Sequence, residues 1–391
     1  MVIQVADRLK QVEEYYFAKK LEEIRKLDAE GKNIINFGIG NPDMAPSEET
    51  IQALTTSASK PTNHGYQAYK GSVEIRNAIA QFYQKTYNVT LDPATEILPL
   101  MGSKEGILHL SMAFLNASDQ VLVPNPGYPT YTSNANLVGA EIKYYDLTFA
   151  NNWQPDLEAL QNADLSKVKL MWLNYPHMPT GAPADVKKLE QLVKLAHDKK
   201  ILLCFDNPYS LVLNQTAPVS LLSIDGAKEV SVELNSLSKS FNMAGWRVGM
   251  MLGKADYLNA ALRVKSNIDS GMLLPVQHAA VAALNNSEQW HADRNAIYGN
   301  RRNWVFKIFD LLGFEYDPNQ VGLFVWAKAP STIEDVPALS DKILYEANVF
   351  ITPGFIFGSN GSNFLRASLC VTDQKMEEAY NRIKNWYESK V

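Results

Sequence analysis

The sequence predicts an α/β protein with two parts: a large unit on a mostly parallel, seven-stranded sheet, and a smaller α+β unit. Three observations lead there. Seven short apolar runs, EILPLM, QVLVP, AEIKYYDL, VKLMWLNYP, ILLCFD, VSVELNS and RVGMMLG, follow one another through the middle of the chain. Helix-period patterns such as SKEGILHLSMAFL and DVKKLEQLVKLAHDKK separate most of them, and that alternation gives a parallel sheet covered on both faces. After about residue 285 the texture changes. Long helical patterns at 288–312, 334–348 and 373–389 then bracket short strands at GLFVWAK and FLRASL.

Taken in order, residues 8–30 read as an amphipathic helix with Gly31 as its stop signal. A turn-rich stretch, FGIGNPDMAP, follows, and SVEIRNAIAQFYQKTY predicts a helix over 72–87. The last two runs of the sheet, VSVELNS and RVGMMLG, are separated by about a dozen residues with no helical pattern. A parallel crossover needs more chain than that, so RVGMMLG is expected to run antiparallel to its neighbours. The division is therefore a large unit over 40–285 and a small unit made of 1–39 with 286–391. The N-terminal helix joins the C-terminal part because chain ends often lie together.

Composition narrows the function. The 391 residues are 46% hydrophobic, enough for a large core. The formal net charge is -5 and no Lys/Arg block stands out, which argues against nucleic acid or an anionic membrane as partner. No apolar run approaches the roughly 18 residues of a membrane span. The N-terminus, MVIQVADRLKQVEEYY, carries charges inside any apolar core a secretory signal would need. Two cysteines make no disulfide framework and fit a reducing cytoplasm; Cys204, in ILLCF, reads as a small buried hydrophobe. The six histidines are scattered, with no paired spacing suited to zinc, so no metal is expected.

Three stretches carry chemistry. LMGSKEGI, at 100–107, reads as strand, Gly-Ser turn and helix start, with Gly102 and Ser103 at the turn. Free backbone N–H groups at such a turn bind anions, phosphate above all, although an ordinary strand-to-helix turn looks the same. CFDNPY ends an apolar strand on Asp206, with Tyr209 three residues on. In open α/β sheets that end of a strand faces the ligand crevice, and a plain helix-capping acid is the competing reading. NSLSKSFNMAGWRVG places Ser236, Ser238, Lys239 and Arg247 among small residues between two apolar strands. A poorly solvated lysine has a depressed pKa, and its neutral amine forms Schiff bases with carbonyls. The hydroxyls and the arginine suit a phosphate. A lone lysine on a loop is ordinarily just solvated. A phosphate nest, a strand-end acid and an imine-forming lysine together describe one ligand, pyridoxal 5'-phosphate, with the acid keeping the ring nitrogen protonated.

On these residues the chain resembles the fold-type I, pyridoxal-phosphate-dependent aminotransferases of class I/II over nearly its whole length. SLSK followed by GWRVG is similar to the family's S-x-x-K and G-x-R-x-G, Asp206 and Tyr209 match its D-x-x-Y, and GSK implicates Ser103 and Lys104 at the phosphate. The resemblance implies that Tyr128, in NPGYPTY, stacks on the cofactor, that Arg366, in NFLRASL, binds the substrate carboxylate, and that Gly40 closes over that carboxylate. It further implies that Tyr66 reaches the phosphate of a neighbouring subunit, hence a homodimer with composite sites. The expected reaction moves an amino group from an L-amino acid to a 2-oxo acid in two half-reactions through Lys239. A C–S β-lyase of the same fold shares every one of these residues, and a non-enzymatic cofactor-sensing domain is a further alternative. One position departs from the family pattern. NYPHMPTG has Met178 where the family has asparagine, and a thioether donates no hydrogen bond. One donor to the cofactor's phenolic oxygen is lost, which implies a raised pKa for the Lys239 imine. His177 beside it reads as a surface-loop residue. The region SNIDSGMLLP carries no second arginine, so neutral, aromatic or methionine-like donors are expected at least as much as aspartate.

Overall fold

The computed structural model describes residues 3–11 and 16–389. Helix α1 (Tyr16–Ala29) leads through strand β1 (Ile35–Asn36) to α2 (Glu48–Ala58) and α3 (Val73–Tyr87). Then come β2 (Ile97–Leu100), α4 (Ser103–Phe114), β3 (Gln120–Asn125), α5 (Thr130–Val138), β4 (Glu141–Asp146), α6 (Leu157–Asn162) and β5 (Val168–Asn174). They are followed by α7 (Val186–Lys199), β6 (Leu202–Asp206), α8 (Ala227–Val230), β7 (Ser231–Ser236), α9 (Leu237–Ser240) and β8 (Gly249–Gly253). Helices α10 (Ala255–Lys265), α11 (Leu274–Leu284) and α12 (Glu288–Leu311) precede β9 (Glu315–Tyr316), β10 (Phe324–Lys328) and α13 (Val336–Ala347). The chain closes with β11 (Val349–Phe350), β12 (Thr352–Pro353), β13 (Phe364–Ser368) and α14 (Asp373–Glu388).

The large sheet has seven strands in the order β2-β8-β7-β6-β5-β3-β4. Strands β5, β6 and β7 are buried almost throughout because helices cover both faces, which is why they read as unbroken apolar runs. The covering helices follow their local chemistry. In α7, Leu189, Leu192, Val193 and Ala196 recur at helical spacing on the buried face, Asp185 caps the start by accepting from Lys188 N, and Lys200 ends it in the left-handed conformation. Helix α3 is capped in the same way by Ser72 and ended by Asn88.

All pairs in this sheet are parallel except those of β8, which runs antiparallel to both β2 and β7, as expected. The register has a functional consequence. Gly249, the first residue of β8, lies opposite Leu100 of β2 and Ser236 of β7. It therefore brings the turn after β2 next to the loop after β7. The connection from β7 to β8 does contain helix, a correction to the sequence reading: one turn over Leu237–Ser240 and a 3-10 turn over Ala244–Trp246. Both are too short to show a periodic pattern.

The C-terminal region forms a four-stranded antiparallel sheet, β12-β13-β10-β9. Helix α1 packs there: Lys20 pairs with Asp341 at 2.9 Å, and Ile24 joins Ile34, Leu344 and Phe350 in a small apolar cluster. Of the helix expected over 8–30, Asp7–Gln11 form a 3-10 turn and Tyr16–Ala29 form α1; residues 12–15 lie outside the described part. Cys204 is fully buried. Among the described residues no helix is long and apolar enough to cross a membrane.

Candidate active site

The carboxyl ends of the parallel strands set the site. Leu100, Asn125, Asn174, Asp206 and Ser236 end β2, β3, β5, β6 and β7, and the antiparallel β8 starts among them. Over this edge lies a cavity of about 600 Å³. It gathers Gly40, Ser103, Lys104, Tyr128, Met178, Asp206, Tyr209, Ser236, Ser238, Lys239, Arg247 and Arg366, residues drawn from stretches more than 300 positions apart. Tyr66 is not among them: it is 94% exposed on this chain's surface.

At one end of the cavity the phosphate-type turn is built by close backbone approach. Gly102 has φ +85 and packs against the Arg247 guanidinium with no room for a side chain. A Cβ on Gly249 would sit 2.5 Å from Ser103 N, so the last glycine of GWRVG is what lets β8 lie against the start of α4. Arg247 is held in the left-handed region at φ +56, a conformation that costs energy for a non-glycine residue and gathers at functional sites. Its Nη1 donates to Ala244 O at 2.9 Å and to Ser238 Oγ at 3.4 Å. Ser236 Oγ donates to Ser238 Oγ at 2.9 Å and accepts from Ser238 N at 3.1 Å. Hydroxyls, helix-start N–H groups and a guanidinium thus converge on one corner, a donor set suited to a dianionic phosphate.

Lys239 follows directly, on α9. Its Nζ donates to the carbonyl of Gly40. Burial pushes its pKa below the usual lysine value, and the Arg366 and Arg247 cations push the same way, against an opposing influence of Cys370. Such an amine is available as a neutral nucleophile. Asp206 is buried at 4% exposure, and its carboxyl is pushed up to about 7 because burial disfavours the charge. Tyr131 O–H donates to its Oδ2 at 2.8 Å and works in the opposite direction. The other oxygen, Oδ1, is buried without a hydrogen-bond partner. A protonated ring nitrogen is the kind of donor that satisfies it. Tyr209 lines the cavity, and burial raises its phenol pKa. The residues present therefore fit pyridoxal 5'-phosphate: a corner for its phosphate, an amine for its aldehyde and an acid for its ring nitrogen.

The opposite end is apolar around one cation. Arg366 sits on β13, with Nη2 donating to Gly38 O at 2.7 Å. Its guanidinium lies 3.9 Å from the Phe324 ring centre and 4.4 Å from that of Phe357. Met178 Sδ accepts from Arg366 Nη1 at 3.4 Å, so the departure from the family pattern touches the arginine directly. Leu21 and Ile39 also line the cavity.

Sequence reasoning missed several residues. Tyr131, which stacks on Trp172 at 4.8 Å, lies in the same NPGYPTY stretch as Tyr128, but only the folded chain shows that it reaches Asp206. Asn174 lines the cavity and locks two strands together: its Nδ2 donates to Asp206 O at 2.6 Å and its Oδ1 accepts from Met178 N at 2.8 Å. A strand-end asparagine before Tyr-Pro was the available signal. Phe324, Phe357 and Leu21 gave none beyond hydrophobicity. The reading of His177 is corrected: it is 3% exposed, its Nδ1 lies 2.8 Å from Thr180 Oγ1, and burial lowers its pKa to about 3. The tight turns of HMPTG draw the ring inward. Glu105 and His109, one helical turn apart on α4, are joined by Asp269 from the loop after α10, with ligand atoms within 4.8 Å of one another.

Comparison with known proteins agrees with this geometry. The family model for aminotransferase class I and II matches residues 32–383. The LL-diaminopimelate aminotransferase of Moorella thermoacetica is 38% identical over 384 residues, covering 98% of both chains. That of Dehalococcoides mccartyi is 37% identical over 388 residues, covering 99% of this chain and all of the relative. The substrate-bound BacF structure from Bacillus subtilis superposes with a TM-score of 0.94 at 34% identity, covering 98% of each chain. These relatives do not favour the C–S lyase alternative. The chain belongs to the class I and II aminotransferase family and is a pyridoxal-phosphate-dependent aminotransferase of fold type I.

Proposed function

We propose that this enzyme takes the amino group from an L-amino acid with an uncharged, largely apolar side chain and passes it to a 2-oxo acid such as 2-oxoglutarate. The observation that carries this reading is the single cavity that holds Lys239, Asp206 and Arg366 together, with apolar side chains around the arginine. Arg366 takes the substrate carboxylate, Gly40 closes over it, and Leu21, Ile39, Met178, Phe324 and Phe357 receive the side chain.

Pyridoxal 5'-phosphate supplies an aldehyde carbon for the amine and a ring that accepts electrons from the substrate's Cα–H bond. In this reading the Lys239 amine would hold the cofactor in the resting enzyme and, once freed, would move the proton at the substrate's Cα. Asp206, oriented by Tyr131, would keep a proton on the ring nitrogen. Tyr209 would donate to the phenolic oxygen, and Tyr128 would lie against the ring. Gly102, Ser103, Lys104, Ser236, Ser238 and Arg247 would hold the phosphate. Tyr66 serves the neighbouring subunit of a homodimer. Residues 40–285 form the unit that carries the cofactor, residues 1–39 and 286–391 form the unit that brings Arg366 to it, and the enzyme works in the cytoplasm.

A second reading, LL-diaminopimelate as donor, is favoured by the names of the relatives that are 37–38% identical. Against it stands the lining of the cavity. Among the described residues Asp206 is its only acidic side chain, so this chain offers no other countercharge for a distal ammonium. A half-reaction screen separates the two. The visible absorbance of the loaded enzyme is followed as each amino acid is added without a 2-oxo acid. Methionine, leucine or an aromatic amino acid should discharge the chromophore fastest. Dominant response to LL-diaminopimelate, or to aspartate, would overturn the apolar assignment.

A further inference from the structure

We propose that Lys265 is a tethered cation that fastens the cofactor-phosphate turn from behind, where two carboxylates and a histidine converge. The proposal rests on the reading of Gly102 and Ser103 as the phosphate turn. Glu105 belongs to that turn: its Oε1 accepts from Met101 N at 2.9 Å, bridging the end of β2 and the first turn of α4. Lys265, the last residue of α10, reaches the same carboxylate. Its Nζ lies 3.8 Å from Glu105 Oε1 and 2.6 Å from each oxygen of Asp269. The Lys265 side chain is 2% exposed and that of Asp269 5% exposed. His109, fully buried, brings Nε2 to 3.7 Å from Glu105 Oε1. Glu105, His109 and Asp269 thus converge as three ligands would, and the Lys265 ammonium stands among them.

The anchor extends further. Asp269 Oδ1 also accepts from Gly271 N at 2.8 Å. Gly271, at φ +87, packs so closely on the backbone that a Cβ would sit 2.6 Å from Gln67 O. One buried ammonium therefore ties together the phosphate turn, the loop after α10 and the segment around residue 67. Two carboxylates this deep without their cation would repel each other, and Glu105 would turn toward solvent and release Met101 N. The turn whose N–H groups meet the phosphate would loosen, while the ends of the cavity that grip the ring and the substrate would stay.

The selective readout is the difference between pyridoxal 5'-phosphate and pyridoxal, which lacks the phosphate. The full-length protein, stripped and reloaded with each, is titrated by visible absorbance. Lys265→Met should weaken pyridoxal 5'-phosphate by about ten-fold and leave pyridoxal within about two-fold. Lys265→Arg should restore most of the loss, because a cation returns. Arg247→Met is the reference for the phosphate reading and should show the same selective loss. If Lys265→Met binds pyridoxal 5'-phosphate as wild type does, or loses both ligands equally, the proposal fails. If Arg247→Met also leaves both affinities unchanged, the phosphate-turn reading itself has failed. Should Lys265→Met not fold, Glu105→Ala takes its place, since it removes the carboxylate that accepts from Met101 N and faces Lys265. It should show the same selective loss, and unchanged affinities for both ligands would overturn the proposal.

Discussion

At Asp206 two effects oppose each other. Burial raises the carboxyl, the Tyr131 hydroxyl at 2.8 Å lowers it, and the balance stands at about 7. Removing that hydroxyl takes away a hydrogen bond to a charge, worth about 1.5–3 kcal/mol. Tyr131→Phe should therefore lower kcat/KM by about ten-fold or more and move the acidic limb of its pH profile upward. A pH–rate profile with an unmoved limb would mean that Tyr131 only fills space against Trp172. The same residue sets a pH dependence of stability. A carboxyl whose folded pKa stands above its ordinary value favours folding while protonated. Its contribution is full below the ordinary carboxylate range and is lost as pH rises to about 7. Melting temperatures of the cofactor-free protein should show that fall, and Asp206→Asn should flatten it. Met178 is the second informative residue. Its sulfur accepts from Arg366 Nη1 at 3.4 Å, so in the proposed function the thioether shapes the carboxylate pocket as well as withholding a donor from the cofactor. Met178→Asn should lower the pKa at which the visible absorbance of the loaded enzyme titrates. An unchanged pKa would sink that expectation.

Among the elements, β8 does most to assemble the site. Its antiparallel direction puts Gly249 between Leu100 and Ser236, and the missing side chain lets Ser103 N approach. Gly249→Ala adds a methyl against backbone atoms on both sides, Ser103 N at 2.5 Å and Asn235 O at 3.1 Å. Overpacking of this kind costs about 1–3 kcal/mol, and here it should appear mainly as weaker cofactor binding, measured by equilibrium dialysis. A variant that binds the cofactor normally but melts lower would place the strain elsewhere. The antiparallel direction was legible in the sequence because the link from β7 is too short for a parallel crossover. The register was not, because it depends on which strands flank β8. The strands were legible because two buried faces leave unbroken apolar runs, and Arg366, Asp206 and Lys239 because a charge stands out within, at the end of or between such runs. Tyr131, Asn174 and the Lys265 cluster were not, since an aromatic ring, an amide or a lysine in such places is locally unremarked and acquires meaning only from its partner in space. His177 misled for the same reason: polarity suggested the surface, and the turn geometry buried it.

For the whole molecule, the cavity is lined by residues of one chain drawn from both ends of the sequence. Tyr66 is 94% exposed, Tyr69, Val73, Ile268 and Leu273 are exposed large hydrophobics as well, and such residues are expected to be covered in the proposed homodimer. Light scattering should give twice the mass of one chain. Two weakly active variants, Lys239→Ala and Tyr66→Phe, should regain activity when mixed and allowed to exchange subunits, because one site of the mixed dimer is then intact. No recovery would mean that Tyr66 acts within its own chain or not at all. The central claim is that Lys239 is the residue that holds the cofactor. Borohydride reduction of the loaded enzyme, followed by peptide mass mapping, tests it most directly. The pyridoxyl group should be found on the peptide that contains Lys239, and Lys239→Ala should carry none; label on another lysine, or on no peptide of the wild type, would contradict the account.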